Sequence, residues 1–354
     1  MPDLKIKATH LLLLALAVLA ISGVGAQARQ SKDAKSAAGY HLLKRIEIGG
    51  EGGWDYLTVD GAARRLYVSH ATRVVVIDID KGAVVGEIPS TNGVHGIAIA
   101  PEVGRGFTSN GRDNTSTIFD LKTLNVLGQV KTGTNPDAII YDPATRRVFA
   151  FNGRSADATA IDAAAGTVAG TIALGGKPEF AAADGRGMVY VNIEDKSEVV
   201  AIDSKKLTVK ARWPLAPGQE PSGMAMDRQT RRLFIVCANK KMIVMNADNG
   251  RVVADLPIGE GVDAAAFDPE TKLAFSSNGE GTLTVVHEDS ADKFAVVENA
   301  PTQRGARTLA LDPKTHAVYL ATAQFGPPPA ATPERPHPRP SMVPGSFVIL
   351  VFGK

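Results

Sequence analysis

The feature that most constrains this chain is a segment that returns seven times. Its copies read GGWDYLTVD (52–60), NGVHGIAIA (92–100), TNPDAIIYD (134–142), GKPEFAAAD (176–184), QEPSGMAMD (219–227), EGVDAAAFD (260–268) and RGARTLALD (304–312). They recur about every 42 residues, the period of an array of one small structural unit. The same grammar follows each copy. A short apolar strand, A, ends at an acid in most units: Asp60, Asp142, Asp184, Asp227, Asp268 and Asp312. A turn comes next, often Asp-Pro-x-Thr, in which Pro presets φ and Asp bonds the backbone two residues on. Strand B is rich in Val, Tyr and Phe: YVSH (67–70), FTSN (107–110), FAFN (149–152), YVN (190–192) and FSSN (275–278). A third strand, C (RVVVIDI, TSTIFDL, EVVAID), and a fourth, D (AVVGEIP, TVAGTIALG, RVVADLPIG), complete the unit. None of these segments has a helical period.

Four short strands between turn signals, at this period, make one blade of a β-propeller. The chain is therefore expected to be all-β, a seven-bladed β-propeller of four-stranded antiparallel blades. The last unit has strands A and B and a terminal strand SFVILVF (346–352), but no fourth. The orphan segment HLLKRIEIG (41–49) matches strand D of the other units. The N-terminal strand is thus expected to close the last blade and remove both open sheet edges. Between B and C of that unit runs a Pro-rich loop, 324–345. Its prolines hold it extended and out of any sheet, as a surface loop or as a flap or docking segment over the channel.

The strand B variants, most followed by a strand C ending Ile-Asp or Phe-Asp, resemble the YVTN repeat. That repeat marks the YncE-like seven-bladed propellers of secreted and periplasmic bacterial proteins. The resemblance spans about residues 41–352, and His70, Cys237 and Thr322 depart from its final Asn. It implies a periplasmic binding or scaffold role. Single-stranded DNA binding and lactonase activity, reported among relatives, enter as alternatives.

The chain ends carry other signals. Lys5 and Lys7 precede an apolar run, 11–21, too short to cross a bilayer, and Ala26-Gln27-Ala28 has the small-x-small form of a cleavage site. Residues 1–28 read as a signal peptide, 29–39 as a flexible leader, and 40–354 as one propeller. A periplasmic or secreted location follows, with no membrane span after cleavage. Loss of Lys5, Lys7 and Asp3 takes the formal charge from +2 to +1. A near-neutral protein has no global field to attract polyanions. The single Cys237 cannot form an internal disulfide and is expected to be buried and inert.

In a propeller the B–C loops and D–A connections share one face, so two sets of side chains are expected there. The inner set starts strand A: Asp55, His95, Asp137, Glu179, Ser222, Asp263 and Arg307. The second closes strand B: His70, Asn110, Asn152, Asn192, Asn239 and Asn278. Trp54 lies beside Asp55, and Arg112 and Arg154 follow Asn-Gly pairs. Except for Ser222 and Asn239, these are the candidate ligand-binding residues. Asn-Gly is also a favoured turn pair, so Asn110, Asn152 and Asn278 have a conformational reading too. Four carboxylates around one axis repel unless Arg307, His95 or a bound cation compensates them.

These residues lead to an exported binding or scaffold protein of the bacterial cell envelope, a monomer taking a small molecule, protein or peptide on that face. The alternative is a metal-assisted lactone hydrolase, since Asp137, Glu179, Asp263 and Asn152 offer the oxygens that suit Ca²⁺. No His-x-His or Asp-x-Asp-x-Asp run supports it, and calcium is the one cofactor considered. Nucleic-acid binding ranks last, because it needs a basic groove with stacking aromatics and Trp54 is the one obvious stacking group. The sequence has no Gly-x-Ser-x-Gly elbow, no Walker loop and no Cys-x-x-Cys-His site.

Overall fold

A computed structural model describes residues 39–330, 332 and 340–354. The expected signal peptide, all of the leader but Gly39, and the centre of the Pro-rich loop lie outside the described residues. The described residues form seven four-stranded antiparallel sheets, each ordered A-B-C-D. Blades one to six span 57–88, 94–131, 136–173, 178–214, 221–257 and 262–301. The A strands touch one another around the axis. The helical content of these residues is two 3-10 turns, Pro101–Val103 and Glu194–Lys196.

Blade seven is built from both ends of the described chain. Strands Thr308–Asp312, Ala317–Thr322 and Val348–Gly353 supply A, B and C, and His41–Glu47 adds D. Leu42 lies opposite Phe352 and Ile46 opposite Ile349. Each backbone group that pairs across this junction no longer stands on an open edge.

Burial follows distance from the rim. Strands B and C are covered on both faces by adjoining blades, as in Leu273–Asn278, which is buried throughout. Strand D alternates, as in Thr208–Pro214. The cores lie between blades: Phe149 and Phe151 of blade three pack with Val189, Val191, Val200 and Ile202 of blade four. Burying one such Phe contributes about 2–3 kcal/mol.

Polar links add direction. The first residue of strand B is Arg in four blades, and each reaches a C–D turn carbonyl of the following blade. Arg65 donates to the Leu121 carbonyl, Arg105 to Ala163 (3.2 Å), Arg147 to Ser204 (2.7 Å) and Arg232 to Ala291 (2.6 Å). At the closing seam Arg64 of blade one bonds Asp312 of blade seven at 2.8 Å.

The last residue of strand B forms a second link. Asn110 Nδ2 donates to Thr115 and Thr117 of strand C, and Thr117 donates to the Ser90 carbonyl in the preceding D–A connection. Asn278 Nδ2 donates likewise to Thr282 and Thr284, and Asn152 Nδ2 to Asp157 and Thr159. The recurring Asn is thus a clip within and between blades.

His70 stands at the clip position of blade one, where strand C offers Arg73 and Val75 in place of hydroxyls. The imidazole has no accessible surface, and neither nitrogen has a hydrogen-bond partner among the described residues. It stacks on Phe347 of blade seven at 4.7 Å. Burial, then the charge of Arg73, lowers its pKa to about 4. Between pH 6.5 and 4 the unfolded chain therefore binds a proton there that the folded chain refuses. Stability from His70 is complete above pH 6.5 and falls as the pH drops, by at most about 3 kcal/mol. Urea unfolding of wild type and His70→Phe across this range is expected to show a smaller acid loss in the variant; equal slopes would remove His70 from the account.

Candidate functional site

The starts of strand A bring the inner set together at the axis. His95 Nδ1 lies 2.6 Å from Asp55 Oδ2 and 3.6 Å from Asp137 Oδ1. Arg307 pairs with Asp263 and stands 4.0 Å from Asp55. Lys177 holds Glu179 at 2.8 Å and also pairs with Glu194. Expected compensation of the four carboxylates by His95 and Arg307 is present, and Lys177 adds a cation that the sequence reading missed. Its signal was its position two residues before Glu179, in the D–A connection that leads into that strand.

Strand B fixes these positions from behind. Ser69 Oγ accepts the Asp55 N–H at 2.8 Å, and Ser109 Oγ accepts the Gly96 N–H at 2.8 Å while donating to the Asp137 carbonyl. Ser277 Oγ donates to the Arg307 carbonyl. Beneath the cluster, buried Tyr56 packs against Phe180, the tilted rings 4.5 Å apart between centroids. Burial raises the Tyr56 phenol, and Asp137, Glu179, Asp55 and Asp263 all raise it further, so the four acids act on one point.

Negative charge and burial leave this cluster with protons to spare. Burial lifts Glu179 to about 8, with Asp137 adding to the rise and Lys177 opposing it. Burial lifts Asp263 to about 7 against the opposing charge of Arg307, and Asp137 to about 6 against that of His95. For His95 burial acts downward, but the Asp55 bond and the Asp137 charge outweigh it and hold the imidazolium to about 9.

The second set takes other places. His70, Asn110, Asn152, Asn192 and Asn278 have no accessible surface. Asn110, Asn152 and Asn278 are spent on the clips, so they hold the face without lining it. Asn192 is one register position earlier: Ile193, its neighbour, faces Pro178 as Asn152 faces Pro136. Its amide donates to the Ser222 carbonyl at 2.6 Å, tying blade four to blade five. Asn239 is half-buried and bonds the Pro217 carbonyl, and Ser222 donates weakly to the Val262 carbonyl. Arg112 and Arg154 are exposed. The oxygen set Asp137, Glu179, Asp263 and Asn152 is not assembled, since Asn152 is enclosed in its own blade and Lys177 and Arg307 hold two of the acids.

Beside the axis lies a cleft of about 1400 Å³. Its walls are the D–A connections of blades one and seven and the described ends of the Pro-rich loop, including Trp54, Arg304, Arg307, Phe325, Pro328 and Met342. The loop folds back on itself through a Phe325–Met342 bridge. Trp54 stacks on Phe347 at 4.9 Å and leans toward Phe325 at 6.2 Å. Gly305, at φ 86, leaves room for Phe325, whose ring would lie 2.5 Å from a Cβ there. Arg304 is exposed and has no ion-pair partner among the described residues.

No protein-family profile and no curated protein matches the chain in sequence. Solved structures do match in shape. A chain from a crystal structure of the mitotic checkpoint complex superposes with TM-score 0.71 at 14% identity, over 96% of this chain and 99% of that one. The structure of U3-55K superposes with TM-score 0.71 at 12% identity, over 89% and 98%. In all, 1810 chains match, and a fold so widely reused does not by itself name a ligand.

Glu179 gives the cluster a measurable signature. Its folded pKa exceeds the unfolded value, so its contribution to stability is greatest when it is protonated and falls as pH rises through about 8. Glu179→Gln is expected to gain on wild type by about 1–2 kcal/mol between pH 5 and 9, solvent at the channel mouth screening the remainder. Melting temperatures that diverge in the opposite sense would show Glu179 to be stabilised as a carboxylate.

Proposed function

We propose that this chain is an exported binding protein of the bacterial cell envelope, related in kind to the YVTN-repeat propellers, which holds a protein or peptide partner on the D–A and B–C face. The cleft between Trp54, Phe325, Met342 and Arg304 is the observation that carries this reading. Concave sites with apolar walls and a few placed polar groups are the usual form of a binding site. Trp and Arg are the residues that most often anchor a partner. The prolines at the rim supply stiff contact surface with little ordering entropy left to lose. The checkpoint-complex structure offers an instance of the fold within an assembly.

A catalytic reading has less support. Cys237, the one thiol, is buried and raised to about 12 by burial. The axial acids are paired with Lys177, His95 and Arg307, an arrangement suited to holding the D–A connections in place.

Two measurements test the proposal. Peptides selected by phage display on the intact protein are expected to lose about thirtyfold in affinity, near 2 kcal/mol, on Trp54→Ala, and to weaken on Arg304→Glu. Selected peptides that bind both variants as well as wild type would place the partner elsewhere. For export, mass spectrometry of protein recovered from a bacterial periplasm is expected to find a mature chain starting at Arg29. Retention of residues 1–28 in the recovered protein would refute cleavage.

A further inference from the structure

We propose that Asp55 Oδ2, His95 Nδ1 and Asp137 Oδ1 form an axial binding site for one divalent transition-metal ion of the zinc type. The three atoms come from the chain entering strand A of blades one, two and three, where Asp55 precedes the strand and His95 and Asp137 are its second residues, and all lie within 4.8 Å of one another. Zinc bonds His nitrogen and carboxylate oxygen at about 2.0–2.2 Å, which sets its donors roughly 3 Å apart. The separations of 2.6 and 3.6 Å from His95 Nδ1 bracket that spacing. An imidazole among the donors selects zinc, nickel, cobalt or copper over calcium and magnesium, which take oxygen alone.

The donors are held in place from outside the set. Ser69 fixes the Asp55 backbone, and Ser109 accepts the Gly96 N–H beside His95 and donates to the Asp137 carbonyl. The far side of the imidazole faces Gly111, where a Cβ would come within 2.7 Å of Nε2. Gly111 therefore sets how the ring lies, with Nδ1 turned to the carboxylates. Such outer support is a regular part of metal sites.

Charge points the same way. Asp55, Asp137, Glu179, Glu194 and Asp263 outnumber His95, Lys177 and Arg307 around the axis. A divalent ion bound there adds positive charge among these acids. The three side chains retain 15–29% exposure, so the site opens to the channel and leaves coordination positions for water or a ligand. This inference is independent of the partner cleft, since none of its donors lines that cleft.

The test uses tag-free protein stripped with chelator. Titration calorimetry with Zn²⁺ is expected to show one ion per chain, and Co²⁺ to give the visible absorption of a bound ion. His95→Ala and Asp137→Asn are each expected to abolish both signals, with circular dichroism confirming the fold. His287→Ala, on the outer side of blade six, is expected to leave uptake unchanged, which excludes adventitious histidine binding. If His95→Ala does not fold, Asp137→Asn carries the same reading. Lack of one-to-one uptake by wild type, or uptake that survives in the folded ligand variants, would overturn the site.

Discussion

The structure depends on the antiparallel pairing of His41–Glu47 with Val348–Gly353. Every other sheet is made from one continuous stretch of chain, so its strands meet through short turns. Blade seven has to bring together segments separated by nearly the whole sequence. Without that ladder, Val348–Gly353 would present an open edge, and the seam between blades seven and one would lose Ile46 from its core. The placement of the axial side chains rests on the same closure. Arg307 and Asp55 precede strand A of blades seven and one, and they face each other only because the circle is complete.

Most of the architecture was legible in the sequence because it is periodic. Six acids at the end of strand A, the Asp-Pro-x-Thr turns and the runs such as FAFN repeat in register, and a repeat averages away local ambiguity. The closing strand was legible for a related reason: HLLKRIEIG resembles the other D strands and had no blade of its own. The register of Asn192 was not, because YVN was matched by its Asn and not by Tyr190. Aligned on the tyrosine, Asn192 falls at the place of Ser69 and Ser109, on the other side of the strand. Period two makes a one-residue slip a change of face.

The candidate site divides along the same line. Residues starting strand A converge because every blade points that position inward, and Asp55, His95, Asp137, Glu179, Asp263 and Arg307 follow from the blade geometry alone. Burial at the end of strand B did not follow. An Asn before Gly looks like a turn residue or a ligand, and only the hydroxyls at Thr115, Thr117, Thr282 and Thr284 show that its amide is committed. Those hydroxyls were in the sequence, five to seven residues on from Asn110 and four to six from Asn278. The walls of the cleft were the least legible part, because Phe325 and Met342 meet across a loop with no repeat to align it.

The arginine links from one strand B to the next blade run all one way around the disc. Four blades grip their successors in this way, and at the seam Arg64 of blade one reaches back to Asp312 of blade seven, so the join is held by a pairing of the opposite sense. A circle joined in this manner has no privileged first member. Where the polypeptide happens to begin is then a matter of bookkeeping for the fold: a circularly permuted chain, opened at another D–A connection and joined through Gly353 and His41, would keep the same head-to-tail order of contacts.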